Sequence, residues 1–133
     1  MRLLSIRHAL PALLLALAAC DGGTEPPEPA GGNYSAVLQS PNGAEAAAHL
    51  ELTGAGIEDV RSTGAAYLAS SVVNGGRRVV IVPSQPGTVE FHVRMAQGQQ
   101  PPSVRVLEVA APDDQPRASL AGYQVNFSRV AVQ

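Results

Sequence analysis

The amino-acid sequence predicts an all-β fold, a single β-sandwich of about seven to nine mostly antiparallel strands. Three observations lead to this prediction. Apolar residues alternate with polar ones from Tyr34 onward, which is the pattern of half-buried strands. Clusters of Gly, Pro, Asn and Asp separate the apolar runs at short, regular intervals. No segment beyond Tyr34 carries a strong helical pattern, so strands account for the domain.

Four candidate strands occupy the first half of the domain, at residues 35–39, 46–52, 57–61 and 66–71. The breaks between the first three are marked by Pro41-Asn42-Gly43 and by Thr53-Gly54-Ala55-Gly56. The second candidate lies in an alanine-rich stretch, and alanine favours helix. Small and larger residues alternate there, ending in Leu50 and Leu52, so we expect a strand, with a helix as the alternative.

The second half contains the clearest alternation, at residues 89–95, where every second residue from Val89 to Met95 is apolar. The continuous apolar run at residues 78–82 is typical of a central strand. Two more strands are expected around Val104, Val106 and Val109 and at residues 123–127. The turns that separate these strands are expected at Asn74-Gly75-Gly76, a tight hairpin, and at the proline-bounded residues 83–87 and 112–116.

A targeting segment precedes the domain. Arg2 and Arg7 form a short positive region, followed by an apolar stretch at residues 9–19. As a helix this stretch would span about 16 Å, roughly half of a bilayer core, so it is too short for a transmembrane anchor. We therefore interpret residues 1–19 as a cleaved signal peptide.

The segment Leu17-Ala18-Ala19-Cys20 resembles the lipobox of bacterial lipoproteins. The resemblance implies cleavage before Cys20, a diacylglyceryl group on its thiol and an acyl chain such as palmitate on its amine. The alternative is a chance cysteine beside an ordinary signal-peptidase site. Cys20 is the only cysteine, so no intrachain disulfide can form. We expect a lipid-anchored protein of the cell envelope that faces the periplasm or the exterior.

The segment from Cys20 to Gly32 is rich in Pro, Gly and acidic residues and lacks apolar periodicity, so it predicts an extended tether. The folded domain is then expected at residues 33–133. Asp21, directly after Cys20, resembles the inner-membrane retention signal of enterobacterial lipoproteins. The sequence is compatible with an anchor in either the inner or the outer membrane.

Composition excludes one class of partner. All nine basic residues are arginine, and 11 residues are acidic, giving a net charge of −2. Removal of the leader with Arg2 and Arg7 leaves seven arginines against 11 acidic residues, a net charge of −4. Nucleic-acid binding requires cations to neutralise phosphates, so we expect no nucleic-acid partner.

The order of strands and turns is similar to that of cohesin-type β-sandwiches, a superfamily that includes carbohydrate-binding modules. The segments that carry the resemblance are residues 40–43, 46–52, 78–82, 86–91 and 122–127. It covers nearly all of residues 34–132 but contains no specific motif. The resemblance therefore implies a fold and, by analogy of fold alone, a binding function. It assigns no ligand-binding residue.

Catalytic motifs for hydrolysis, zinc chemistry or phosphate binding are absent from the sequence, so we expect no enzyme, metal or cofactor. His49 and His92 are far apart, which disfavours zinc, and His92 is expected to point outward beside Glu90 and Arg94. Asp113 and Asp114 are the best calcium candidates but are more typical of turn formers, and the same interpretation applies to Glu58-Asp59.

Two functions remain. The first, which we favour, is a tethered β-sandwich that binds another envelope or cell-surface protein through a sheet face or an edge strand. The alternative is a carbohydrate-binding module for cell-wall or environmental polysaccharide. Such modules stack sugars on exposed aromatic rings, and among the rings only Tyr67 is a candidate for exposure, since Trp is absent.

Overall fold

The computed structural model describes residues 31–64 and 66–131. The predicted signal peptide, the predicted lipidation site Cys20, the neighbouring Asp21 and most of the predicted tether lie outside the described residues. The described chain forms eight β-strands, which are β1 (Gly32–Gln39), β2 (Ala47–Thr53), β3 (Ile57–Ser62), β4 (Tyr67–Val73), β5 (Gly76–Val82), β6 (Glu90–Met95), β7 (Ser103–Ala110) and β8 (Gln124–Arg129).

The strands form two four-stranded antiparallel sheets. The first, called sheet 1, has the order β3-β6-β1-β8, and the second, called sheet 2, has the order β4-β5-β2-β7. The predicted all-β sandwich is therefore confirmed. The alanine-rich stretch forms strand β2 rather than a helix, because alternate residues such as Ala48, Leu50 and Leu52 are buried.

The core lies between the sheets and consists of the residues that alternate inward from each strand. The largest fully buried apolar side chains are Phe91, Leu50, Leu52, Ile81, Val79, Val89, Val93 and Val109. Burial of each stabilises the fold by about 1.5–3 kcal/mol. The inward face predicted for the strand at residues 89–95 is confirmed, since Val89, Phe91, Val93 and Met95 are all buried.

Strand β5 is an interior strand of sheet 2, as its apolar run predicted. Only Val79 and Ile81 are buried, however, and the intervening Val80 and Val82 remain 37% and 39% exposed. The continuous apolar run therefore does not come from burial on both faces. It places apolar side chains on the outer face of sheet 2.

Strand β7 contains a β-bulge that explains the irregular spacing of its valines. Leu50 is paired with Val106, but His49 is paired with Glu108, so Leu107 is an extra residue on β7. A bulge of this kind reverses the alternation of side chains that follow it. Val104 and Val106 therefore face the core together with Val109, although Val109 lies three positions after Val106.

The folded domain begins slightly before its predicted start. The predicted tether extended to Gly32, whereas Gly32 is the first residue of β1 and is paired with Met95. Gly31 is buried in a positive-φ conformation, and a Cβ atom there would lie 2.6 Å from the carbonyl oxygen of Ala96. Close backbone approach thus requires glycine at the amino-terminal end of the described sandwich.

Candidate functional site

The outer face of sheet 2 carries a continuous apolar surface. Neighbouring strands bring together six outward-facing residues, here called the apolar patch, which are Ala47, Tyr67, Ala69, Val80, Val82 and Ala110. Tyr67 is paired with Val82, Ala69 with Val80, and Ala47 with Ala110, so the patch crosses all four strands. Exposed apolar surfaces that span a sheet are typical of binding sites.

A charged cluster borders the apolar patch on the same face. Glu51 accepts a hydrogen bond from Arg105 at 2.8 Å and another from Arg78 at 3.1 Å. The pKa of Glu51 is lowered mainly by the hydrogen bond from Arg78, with further contributions from Arg105 that outweigh partial desolvation. The outer face of sheet 2 is therefore divided into an apolar half and a charged half, the arrangement of an interface core with a polar rim.

His49 lies at the boundary between the two halves. It is paired with Val80 on one side and with Glu108 on the other. Together with Ala47, Ala48 and Ala110 these residues line a shallow hollow of about 210 Å³. Pockets for drug-sized ligands usually enclose roughly 300–1,000 Å³, so this hollow is better suited to a protruding side chain than to a small molecule.

The outer face of sheet 1 is polar by contrast. His92 is exposed and points outward beside Arg94, as predicted, and both line a hollow of about 240 Å³ together with Asn33, Asp59, Arg61 and Val130. The charged groups here are paired, since Arg94 contacts Glu58 at 2.9 Å and Arg61 contacts Asp59. The hydrogen bond from Arg61 is the main cause that lowers the pKa of Asp59.

Glu45 is the one buried charged residue among those described, and no motif in the sequence marks it as a candidate. Its carboxylate accepts hydrogen bonds from Ser40 at 2.6 Å, from Arg117 at 2.9 Å and from the hydroxyl of Tyr123. Its backbone N–H and C=O each bond Gly87 at 2.9 Å. Glu45 thus joins the β1–β2, β5–β6 and β7–β8 connections at one end of the sandwich.

Burial by itself would raise the pKa of Glu45. The hydrogen bonds from Ser40, Tyr123 and Arg117, and the positive charge of Arg117, outweigh burial and hold the pKa below its ordinary value of 4.5. The carboxylate is therefore ionised at neutral pH, and all three of its side-chain partners come from the chain itself. We interpret this cluster as a structural clamp rather than a binding site.

The remaining candidates from the sequence lie in separate places. Asp113 and Asp114 are exposed in the turn after β7, where Asp113 accepts a hydrogen bond from the N–H of Gln115 and Asp114 has a φ of 62°. Within residues 31–64 and 66–131 no group of three or more His, Cys, Asp and Glu side chains could hold a metal ion. Asp113 and Asp114 therefore have the geometry of turn residues.

The aromatic rings are distributed as the sequence indicated. Tyr34 and Phe91 are buried, and Tyr123 and Phe127 are partly buried against the core. Tyr67 is 66% exposed at the edge of the apolar patch. The valines of the patch were not identified as site residues, although the apolar run at residues 78–82 was the signal that could have revealed them.

No protein-family model, characterised protein or solved structure matches this chain. The structure supports the all-β sandwich. A closer similarity to cohesin-type sandwiches stays a prediction. No helix capable of crossing a membrane occurs in the part of the chain that the structure describes.

Proposed function

We propose that this protein is a non-enzymatic lipoprotein, anchored to a membrane through lipid on Cys20, whose β-sandwich binds another protein of the cell envelope. The apolar patch on sheet 2 is the single observation that carries the proposal. Val80 and Val82 point away from the core, so their outer surfaces add nothing to its burial. A partner that covered this apolar area would remove it from water, which is favourable.

A protein partner fits this surface better than a small ligand does. The apolar patch lies on the outer face of a four-stranded sheet, and its charged border supplies hydrogen-bond donors from Arg78 and Arg105. The complementary surface would present apolar side chains to the patch and a carboxylate or carbonyl to the arginines. A protruding side chain of the partner would occupy the hollow beside His49.

A charge placed in the apolar patch is expected to abolish partner binding. The full-length tagged chain is used to capture proteins from solubilised envelope, and Val80→Asp is compared with Val130→Asp, since both valines are 37% exposed and Val130 lies beside sheet 1. An unpaired carboxylate at an apolar interface costs several kcal/mol, so Val80→Asp should reduce capture by about tenfold or more.

The captured protein is then purified, and its Kd for both variants is measured directly. Equal binding by Val80→Asp and Val130→Asp would show that sheet 2 is not the contact surface. Retention of wall polymer in place of a protein would favour the carbohydrate-binding alternative, which the exposed ring of Tyr67 supports. In that case Tyr67→Ala should weaken polysaccharide retention.

The anchor has its own test. In bacteria labelled with palmitate, the wild-type chain is expected to carry the label and to sediment with membranes, whereas Cys20→Ser should carry none. Mass spectrometry should find Cys20 as the first residue of the wild-type protein and the intact leader in the variant. Label on the Cys20→Ser chain, or its absence from the wild type, would contradict lipidation at this position.

A further inference from the structure

Strand β4 lies at the edge of sheet 2 and lacks the features that normally prevent an edge strand from pairing. Natural edge strands carry charges, prolines or bulges, because an open row of N–H and C=O groups is a template for another strand. Strand β4 has the sequence Tyr-Leu-Ala-Ser-Ser-Val-Val, with no charge and no proline, and its pairing with β5 is continuous.

The three other edge strands of the described fold are protected. Strand β3 carries Glu58, Asp59 and Arg61 and a register shift opposite β6. Strand β7 carries Arg105 and Glu108 and the bulge at Leu107. Strand β8 ends in Arg129. Strand β4 thus differs from each of them, and its residue Val72 is 77% exposed.

The pattern of large and small side chains along β4 is the same in both directions. Two large residues, Tyr67 and Leu68, precede three small ones, and two large residues, Val72 and Val73, follow them. The centre of this pattern is Ser70. In an antiparallel pair of two identical β4 strands centred on Ser70, Tyr67 lies opposite Val73 of the second copy, and Leu68 lies opposite Val72.

The backbone permits the same register. The two-residue turn at Asn74-Gly75 closes on the pair Val73 and Gly76, and antiparallel pairs alternate between those that exchange hydrogen bonds and those that do not. Counting from that closing pair, Leu68, Ser70 and Val72 direct their N–H and C=O groups away from β5. A register centred on Ser70 places these groups opposite one another, with six hydrogen bonds between the strands.

We propose that a second copy of this chain pairs with β4 antiparallel about Ser70, which joins two copies of sheet 2 into one eight-stranded sheet. The absence of charge on β4 favours this occupant, because a two-fold axis at Ser70 would bring like charges near the centre of the strand together. The pairing leaves the apolar patch uncovered and doubles it, so it does not depend on the function proposed above.

Cysteine cross-linking in the full-length chain tests the register. Ser70→Cys places two thiols on the two-fold axis, with Cα atoms about 5.5 Å apart, within the range of a disulfide. Ser71→Cys, an exposed neighbour of the same type, would lie opposite Ala69 of the second copy, and its two thiols would be too far apart. We expect a covalent dimer on mild oxidation from Ser70→Cys, with at least a fivefold excess over Ser71→Cys.

Co-purification of two differently tagged copies provides an independent readout. Ser70→Lys in both copies brings two ammonium groups together and should reduce co-purification at least tenfold, whereas Ser128→Lys on the edge of sheet 1 should not change it. Equal cross-linking of the two cysteine variants, or full co-purification of Ser70→Lys, would overturn the proposal. A different protein lost specifically from Ser70→Lys would instead identify a heterologous strand on β4.

Discussion

Replacement of Glu45 by glutamine is expected to lower the free energy of unfolding at neutral pH by about 2–4 kcal/mol. The variant keeps the size of the side chain but removes its charge. Where the amide nitrogen replaces the carboxylate oxygen, the Nε–H of Arg117 faces a second donor and loses its acceptor, although Nη2 still donates to the carbonyl oxygen of Ala44. Glu45 contacts three connections at one end of the sandwich, so the substitution weakens the hydrogen bonds that hold these connections together.

The difference between the wild type and Glu45→Gln should depend on pH. Because the folded pKa of Glu45 is lower than its ordinary value of 4.5, its ionisation stabilises the fold above about pH 4.5. That contribution is lost as pH falls through the folded pKa. Urea denaturation at a series of pH values should therefore show the full difference at pH 7 and convergence of the two proteins in acid.

Glu51→Gln is the control, since Glu51 likewise accepts hydrogen bonds from arginine, in its case from Arg78 and Arg105, but lies on the outer face of sheet 2. Its loss of stability should be much smaller, because solvent screens exposed charge pairs. A Glu45→Gln variant as stable as Glu51→Gln, or a difference from wild type that does not change with pH, would contradict the role of Glu45 as a clamp.

Gly76→Ala is expected to destabilise the domain by about 2–4 kcal/mol. Gly76 is paired with Val73 on one side and Thr53 on the other, so it lies between two strands. A Cβ atom at this position would lie 1.9 Å from the carbonyl oxygen of Leu52. That oxygen belongs to the backbone of an interior strand, so the clash can be relieved only by moving β2 or β5.

Gly87→Ala provides the comparison for Gly76→Ala. The nearest atom to a Cβ at Gly87 is the carbonyl oxygen of Gln85 at 3.7 Å, an ordinary contact. Its effect should stay within about 1 kcal/mol, as is usual for substitutions without a clash. Equal urea midpoints for the two variants would show that the sheet adjusts at Gly76 without cost.

The strands could be predicted because each is encoded locally, by alternation within six to eight residues and by turn residues at its ends. Glu45 could not be predicted in this way. Its partners Arg117 and Tyr123 are 72 and 78 residues away in sequence, and it lies in an alanine-rich segment without a motif. Only the folded arrangement of the connections brings the three side chains together.

The apolar patch could be predicted only in part. Val80 and Val82 were visible in the sequence as part of an apolar run, but the run alone does not say whether both sides of the strand are buried. That depends on whether a further layer covers sheet 2, and the described chain supplies none. An apolar run within an otherwise alternating sandwich is thus a sequence signal for an apolar outer face.

The order of strands also determines when the protein can fold. The first strand, β1, is hydrogen-bonded to β6 and to the last strand, β8, and only β4 and β5 are consecutive in both sequence and sheet. Nearly every pairing thus closes a long loop, which makes folding slow, on the order of milliseconds to seconds. A chain synthesised from its amino end cannot complete sheet 1 until Arg129 has been added and released. Until then β1 lacks one of its two neighbours, so the incomplete chain exposes an unpaired strand edge that favours aggregation.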